Sequence, residues 1–144
     1  MAAERDVGDE LRDRMAGSAF YGWAGLDLVR AEPGEVELAF VAGPHHLNLQ
    51  GLVHGGMLAT LADTATGFAI RTMLDPGRRH ATVQLDVRYL APGGPGRIVA
   101  RGRVVQLGSS LAYAEADVVD EAGTLLAKGQ ATHALGRSPD ARDA

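Results

Sequence analysis

The sequence predicts an α+β domain in which one long helix lies on an antiparallel sheet. Three observations carry this. From Leu58 onward, Leu58, Leu61, Ala62, Ala65, Phe68 and Ala69 recur at helical spacing. No proline interrupts that run until Pro76-Gly77, which ends it. On both sides lie segments that alternate apolar and polar residues with the period of a strand, joined by short turns rich in Gly, Pro, Asp and Ser. One helix packed on such a sheet is a two-layer arrangement. The 144 residues suffice for a single core, and neither repeats nor low-complexity stretches suggest a second domain.

Taken in order, residues 1–17 form a polar N-terminal segment with a short helix over 10–15. Residues 18–25, SAFYGWAG, hold the one tryptophan and two more aromatic rings, so this segment is expected to pack on something. Leu26, Leu28 and Arg30 alternate with Asp27, Val29 and Ala31 in a first strand. Pro33-Gly34 suits a type II turn, with Gly supplying the positive φ. Val36, Leu38 and Phe40 then alternate with Glu35, Glu37 and Ala39 in a half-buried strand. The loop 43–53 leads into the central helix. Beyond Pro76, Val83, Leu85, Val87 and Tyr89 share one face of a strand, and Thr82, Gln84, Asp86 and Arg88 share the other. Three further segments follow across the turns APGGPG, LGSS and DEAG. Pairing them as hairpins sets Arg101 opposite Glu115 and Glu115 opposite Lys128, where opposite charges support the register. The reverse face carries Ala112, Ala114 and Ala116 beside Ala127, Gly129 and Ala131, small enough to admit a helix close against the sheet. The domain thus spans 18–135, and 136–144 reads as a polar, disordered tail.

Composition removes several classes of function. With 14 basic and 18 acidic residues the net charge is −4, without the basic excess of a nucleic-acid binder. The absence of cysteine excludes disulfides, a thiol nucleophile and thiolate metal sites. The charged N-terminus lacks the apolar core of a signal peptide, and no run approaches the ~18 apolar residues of a membrane span. A cytoplasmic protein with no membrane partner is the expectation.

The chemistry concentrates between His45 and Leu74. Gly55 and Gly56 place two amides without side chains at a helix N-terminus, where N–H groups lack intrahelical partners and meet the positive end of the helix dipole. That suits the oxyanion formed when a carbonyl is attacked, and it equally suits a tight loop-to-helix corner. Asp63 is the one carboxylate in an otherwise uncharged helix, on a face with Gly56, Thr60, Gly67 and Ile70. It is a candidate general base or nucleophile, set against the plainer reading of an acid satisfied by a neighbouring threonine or amide. Eight positions of helix separate Gly55 from Asp63 by ~12 Å, too far to share one carbonyl within a chain. If both serve one reaction, Asp63 comes from a second subunit in a two-fold dimer. Asn48 is a candidate to orient the carbonyl or a water, or else a turn asparagine. His54, near His45 and His46, matches no zinc spacing and is read as shaping the corner. Arg71, Arg78 and Arg79 flank the helix end, as phosphate ligands or as solvated charges.

The motif N-x-x-G-x-x-H-G-G followed by L-A-D, here Asn48, Gly51, His54, Gly55, Gly56 and Asp63, resembles the hotdog-fold acyl-CoA thioesterases of the PaaI-like group. The segment V-R-Y-L-A-P, Val87 to Pro92, is similar to that family's third strand and its exit turn. The resemblance spans roughly 20–135. It implies a long central helix wrapped by an antiparallel β-sheet, homodimers formed by sheet continuation, and dimers of dimers. It also implies hydrolysis of an acyl-CoA thioester with no metal or organic cofactor, CoA entering only as part of the substrate. Carried over, Gly55 gives the oxyanion amide, Asn48 helps hold the thioester or the water, His54 sits at the corner, and Asp63 is the base or nucleophile. Thr82 stands where many members have serine. Two other readings share the pocket: a hydratase or dehydratase, with His54 as the acid's partner, and a non-catalytic acyl-CoA binding module. Fold alone does not separate these.

Overall fold

The computed structural model describes residues 6–137, so all but the first two positions of the expected polar tail lie outside it. Helix α3 (Gly55–Arg71) lies across a six-stranded antiparallel sheet in the order β1-β2-β4-β5-β6-β3. The strands are β1 (Asp27–Glu32), β2 (Glu35–Ala42), β3 (His80–Tyr89), β4 (Gly96–Leu107), β5 (Leu111–Asp120) and β6 (Leu125–Leu135). Two short helices, α1 (Val7–Ala16) and α2 (Ala19–Ala24), precede them. Among the described residues no helix is long and apolar enough to cross a membrane.

The expected apolar stripe of α3 is buried: Leu58, Leu61, Ala62, Ala65 and Ala69 are at most 3% exposed, and Phe68 is half-buried beside them. The sheet meets it with Ala100, Ala112, Ala114, Ala116, Ala127 and Ala131, all buried. Two glycines set the separation. A Cβ on Gly102 would stand 2.3 Å from the Ala65 carbonyl oxygen, and one on Gly129 would stand 2.7 Å from the Ala62 Cβ. At Gly102 helix backbone thus meets sheet backbone directly, and at Gly129 only the Ala62 methyl group stands between them.

Four strands depart from simple alternation, each through a single bulged residue, that of β6 lying at Leu126. In β1, Leu28 pairs with Leu38 but Arg30 with Glu37, so Val29 is extra. Arg30 leaves the face of Leu28, and Ala31 packs on the core instead. In β3, Thr82 pairs with His133 but Gln84 with Thr132, so Val83 is extra. That bulge turns Thr82 onto the helix side with Leu85 and Val87, away from Gln84, Asp86 and Arg88 with which alternation had grouped it. In β4, Val105 is extra.

The hairpin register differs from expectation by two residues. Arg101 faces Asp117, Arg103 faces Glu115, and Lys128 faces Asp117. The β4–β5 turn centres on Ser109-Ser110, with the Gly108 N–H on the Leu111 carbonyl. The β5–β6 turn takes three residues and ends at Gly123 (φ +82°), and Leu126 bulges beyond it. A slip of two preserves the faces, so the small residues still point at α3. The charges still pair, as Arg103–Glu115, Lys128–Asp117 (2.6 Å) and Arg101–Glu37 (3.3 Å).

The two sheet edges are treated differently. Along β1, Arg12 of α1 donates from Nε to the Leu28 carbonyl (3.2 Å) and from a terminal nitrogen to the Val29 carbonyl (3.4 Å), which closes that edge. Asp6 caps α1 through Gly8 N–H, and the helix buries Leu11 and Met15 in the core, within the segment read as polar. Tyr21 of α2 packs its ring on Phe68, whereas Phe20 and Trp23 stay half-exposed. At the opposite edge β3 pairs only with β6 and presents Val83 and Tyr89 to solvent.

The contact at Gly102 yields a test. Gly102→Ala should destabilise the fold by about 3 kcal/mol, since helix and sheet backbones must separate. Gly94→Ala, with open space around it, should change stability by less than about 0.5 kcal/mol. Urea denaturation of both variants compares them, and equal stabilities would show that the helix is not held at the glycine.

Candidate active site

The loop before α3 is braced by histidine. His46 is 2% exposed; its Nδ1 accepts from Gly43 N–H (3.0 Å), so its Nε2–H donates to the Ala24 carbonyl (2.9 Å). Burial, with some help from neighbouring His45, lowers its pKa and keeps this strut neutral. A bridge between Leu47 and Val53 closes the loop, with Gly51 at φ +75°. Inside it, Asn48 Oδ1 accepts from Gln50 N–H (2.9 Å) and Leu52 N–H (3.2 Å). Its amide oxygen is thereby fixed inward, and its NH₂ group points the other way.

His54 is the N-cap of α3, with Nδ1 accepting from Gly56 N–H at 2.8 Å. Of the two amides expected to be open, Gly56 is thus taken by the cap. Gly55 N–H has no hydrogen-bond partner among the described residues. The Gly55 carbonyl accepts from the Tyr89 hydroxyl (2.8 Å), and the Tyr89 ring lies so close that a Cβ on Gly55 would be 3.3 Å from it. Asn48, Gly55, Leu58, Tyr89 and the segment 90–93 line a cavity of about 360 Å³.

Asp63 opens into a different cavity of about 460 Å³, between α1, α3, β3 and β6. Its Oδ1 accepts from the Thr82 hydroxyl at 2.7 Å, a contact made possible by the Val83 bulge. Thr82 Oγ1 is also 3.2 Å from His133 Nε2, and His133 Nδ1 is 3.1 Å from His80 Nδ1. Burial pushes His80 down to about 4, assisted by His133, Arg71 and Arg14. Burial likewise lowers His133, and the negative Asp63 opposes that shift. Tyr21, on the cavity wall, is raised by burial.

Sequence reading missed both imidazoles. His133 is 3% exposed on the inner face of β6, in step with Ala127, Gly129 and Ala131. A histidine continuing a row of small helix-facing residues is the signal that marks it. Two of the three flanking arginines hold backbone instead of standing free. Arg71 donates to the carbonyls of Arg78 and Asp75, and Arg78 donates to those of Gly136 and Ser109. Among the described residues no group of three or more His, Asp or Glu side chains is placed to hold a metal ion.

No residue lines both cavities. Asp63 and Thr82 are together, Asn48, Gly55 and His54 are together, and about 12 Å of helix separates the two groups.

Comparison with known proteins adds to this geometry. Residues 50–127 match the family model for the thioesterase superfamily. Acyl-coenzyme A thioesterase 13 of Homo sapiens is 33% identical over 113 residues, covering 77% of this chain and 80% of that protein. An asparagine-to-aspartate mutant of the phenylacetic acid degradation protein PaaI from Thermus thermophilus is 33% identical, with a TM-score of 0.74 over 81% of this chain and 98% of that one. A thioesterase from Haemophilus influenzae, 19% identical, has a TM-score of 0.86 over 96% of both chains, a likeness of fold.

His80 makes stability depend on pH. Its pKa is about 4 when folded against 6.5 for the ordinary imidazole, so the unfolded chain binds more protons between those values. The stability it contributes is complete above pH 6.5 and is lost as the pH falls toward 4. Melting temperatures followed by circular dichroism should therefore fall across that window, and less steeply in His80→Asn. Parallel curves for the two proteins would contradict the linkage.

Proposed function

The chain belongs to the thioesterase superfamily and has the hotdog fold, and from that premise we propose that it hydrolyses an acyl-CoA thioester to the free acid and CoA. The observation that carries this reading is Asp63, a carboxylate held through Oδ1 by a neutral hydroxyl at the wall of a cavity. Its Oδ2 has no hydrogen-bond partner among the described residues. As base toward water, or as nucleophile toward the carbonyl carbon, Asp63 reacts through Oδ2. In either course the carbonyl carbon gains an oxygen, the C–S bond breaks, and CoA leaves as a thiolate that takes up a proton; in the nucleophilic course a water then hydrolyses the acyl–Asp63 anhydride, releasing the free acid and restoring the carboxylate. The carbonyl oxygen, charged in the tetrahedral intermediate, is received by the open Gly55 N–H at the positive end of α3. The Asn48 NH₂ group supplies a second donor. His54 contributes by occupying the Gly56 amide, which fixes the corner from which Gly55 points.

The two halves of this machinery act together across a homodimer. The separation of the two cavities supports it, and so does the open edge of β3, which carries Thr82 near one end and Tyr89 at the other. Two β3 strands paired antiparallel along that edge bring the Thr82 end of one subunit to the Tyr89 end of its partner. Each site then takes Asp63 and Thr82 from one subunit and Gly55 and Asn48 from the other, two sites per dimer.

Thiol release from a panel of acyl-CoAs tests the reaction. Asp63→Ala should fold normally and lose ~10²-fold or more in turnover, the scale of a removed base or nucleophile. Near-normal turnover in that variant would remove Asp63 from the mechanism.

A subunit-mixing experiment tests the composite site. Asn48→Ala and Asp63→Ala homodimers should each be impaired at both sites. Co-expressed, they should form heterodimers with one intact site and one carrying both lesions, and random mixing should restore roughly a quarter of wild-type activity. Isolated heterodimers no more active than the parents would place Asn48 and Asp63 in the same chain's site.

A further inference from the structure

We infer that His133 and His80 are positioning residues for Asp63: together they fix the direction of the Thr82 hydroxyl, so that its single proton goes to Oδ1 and Oδ2 is left as the reacting oxygen. The inference rests on the reading of Asp63 given above and adds to it two residues that neither the motif nor the family resemblance singled out.

With both imidazoles neutral, the protons along this chain of contacts have only one consistent arrangement. Thr82 Oγ1 lies 2.7 Å from Asp63 Oδ1 and 3.2 Å from His133 Nε2, and it has one hydrogen to give. An ionised carboxylate only accepts, so the hydroxyl proton must lie on the Asp63 side. His133 Nε2 then meets an oxygen lone pair and must carry a hydrogen itself. With Nε2 protonated, a neutral His133 has its lone pair on Nδ1, and His80 Nδ1, 3.1 Å away, must be the donor there. The result is a single directed series: His80 Nδ1–H to His133 Nδ1, His133 Nε2–H to Thr82 Oγ1, Thr82 O–H to Asp63 Oδ1. Reversing any one bond leaves two hydrogens or two lone pairs facing each other.

Both imidazoles must be neutral for this series, and the surroundings favour that. His133 is 3% exposed, and burial lowers the pKa of both rings. The charged and titratable groups facing the pair are Asp63 and Arg71 on α3, Arg14 on α1 and Tyr21 on α2. The two arginines oppose a further positive charge on His80. Asp63 favours one on His133, and the larger effect of burial opposes it. Without His133, Thr82 Oγ1 loses the donor that fills its lone pair, and its hydrogen is free to rotate off Asp63.

Two measurements test this. Long-range ¹H–¹⁵N spectra of histidine-labelled protein at neutral pH should show His133 neutral with its proton on Nε2 and His80 neutral with its proton on Nδ1. A proton on His133 Nδ1, or a charged His133, would overturn the inference. In kinetics, His133→Leu should lower kcat about tenfold with KM changed by less than about twofold, the loss of one orienting hydrogen bond. His133→Gln, which retains an N–H near the Nε2 position, should recover most of that loss. In a Thr82→Val background His133→Leu should cost nothing more; an undiminished cost there would also overturn it, because the imidazole would be acting by another route. Absence of turnover by the wild-type protein on every acyl-CoA tried would instead defeat the hydrolytic reading, and the tautomers would still decide whether the pair directs Thr82.

Discussion

The contact of α3 with the sheet at Gly102 and Gly129 is the constraint on which the rest of the molecule depends. Separations of 2.3 and 2.7 Å to a missing Cβ mean that the helix is seated on the backbone of the sheet, with no sheet side chain between them at these two positions. The neighbouring sheet positions are alanine for the same reason, and the larger side chains lie to the sides, as Phe40, Leu38 and Ile98 do on β2 and β4. A helix held this close has little freedom to rotate about its axis or slide along it. Residues on its flank therefore occupy fixed positions relative to the strands. Asp63 is such a residue, and Thr82 on β3 is near enough to bond it directly. A carboxylate on a more loosely packed helix would need a longer partner or a water to reach the sheet.

Rigidity also separates the functional groups. The N-terminus of α3 and Asp63 belong to one rod, and no adjustment of loops brings them together. In the proposed reaction the separation is resolved by symmetry, since a two-fold axis reverses the rod. The chain's edges suit that arrangement. Arg12 and the bulge at Val29 occupy the outer edge of β1, whereas the outer edge of β3 keeps its backbone groups and the side chains of Val83 and Tyr89 exposed. Thr82 and Tyr89, on that same strand, contact Asp63 and Gly55 respectively, so one strand touches both halves of the machinery.

The parts of this structure legible in the sequence are those written in repeated patterns. The apolar stripe of α3, the alternation of β2 and the row of alanines each involve several residues, and their periods agree with the structure. Asp63 was legible as an exception to such a pattern. What could not be read came from single residues that break a pattern without announcing it. Val29, Val83, Val105 and Leu126 are ordinary strand residues, yet each is the extra one in its ladder. Alternation carried across Val83 puts Thr82 on the solvent side, opposite to where the bulge turns it. The two turns misplaced the register for the same reason, because turn length follows from local φ and hydrogen bonding more than from composition. His80 and His133 were invisible individually and acquire meaning only when β3 and β6 are adjacent.

The surroundings of Asp63 follow a consistent electrostatic pattern. Arginine lines the same cavity, and an arginine fork against the carboxylate would hold it firmly. It would also stabilise the anion and make it a poorer base. Instead Arg71 spends its donors on the carbonyls of Arg78 and Asp75 at the helix end, and the contact to Asp63 comes from a hydroxyl. A neutral donor orients one oxygen without neutralising the charge. The cost of that choice is that a hydroxyl rotates freely where a guanidinium does not, so its direction must be set from behind. In the reading proposed here two neutral imidazoles do this, and their burial keeps them neutral. In that reading the carboxylate is held in place by residues that do not neutralise its charge.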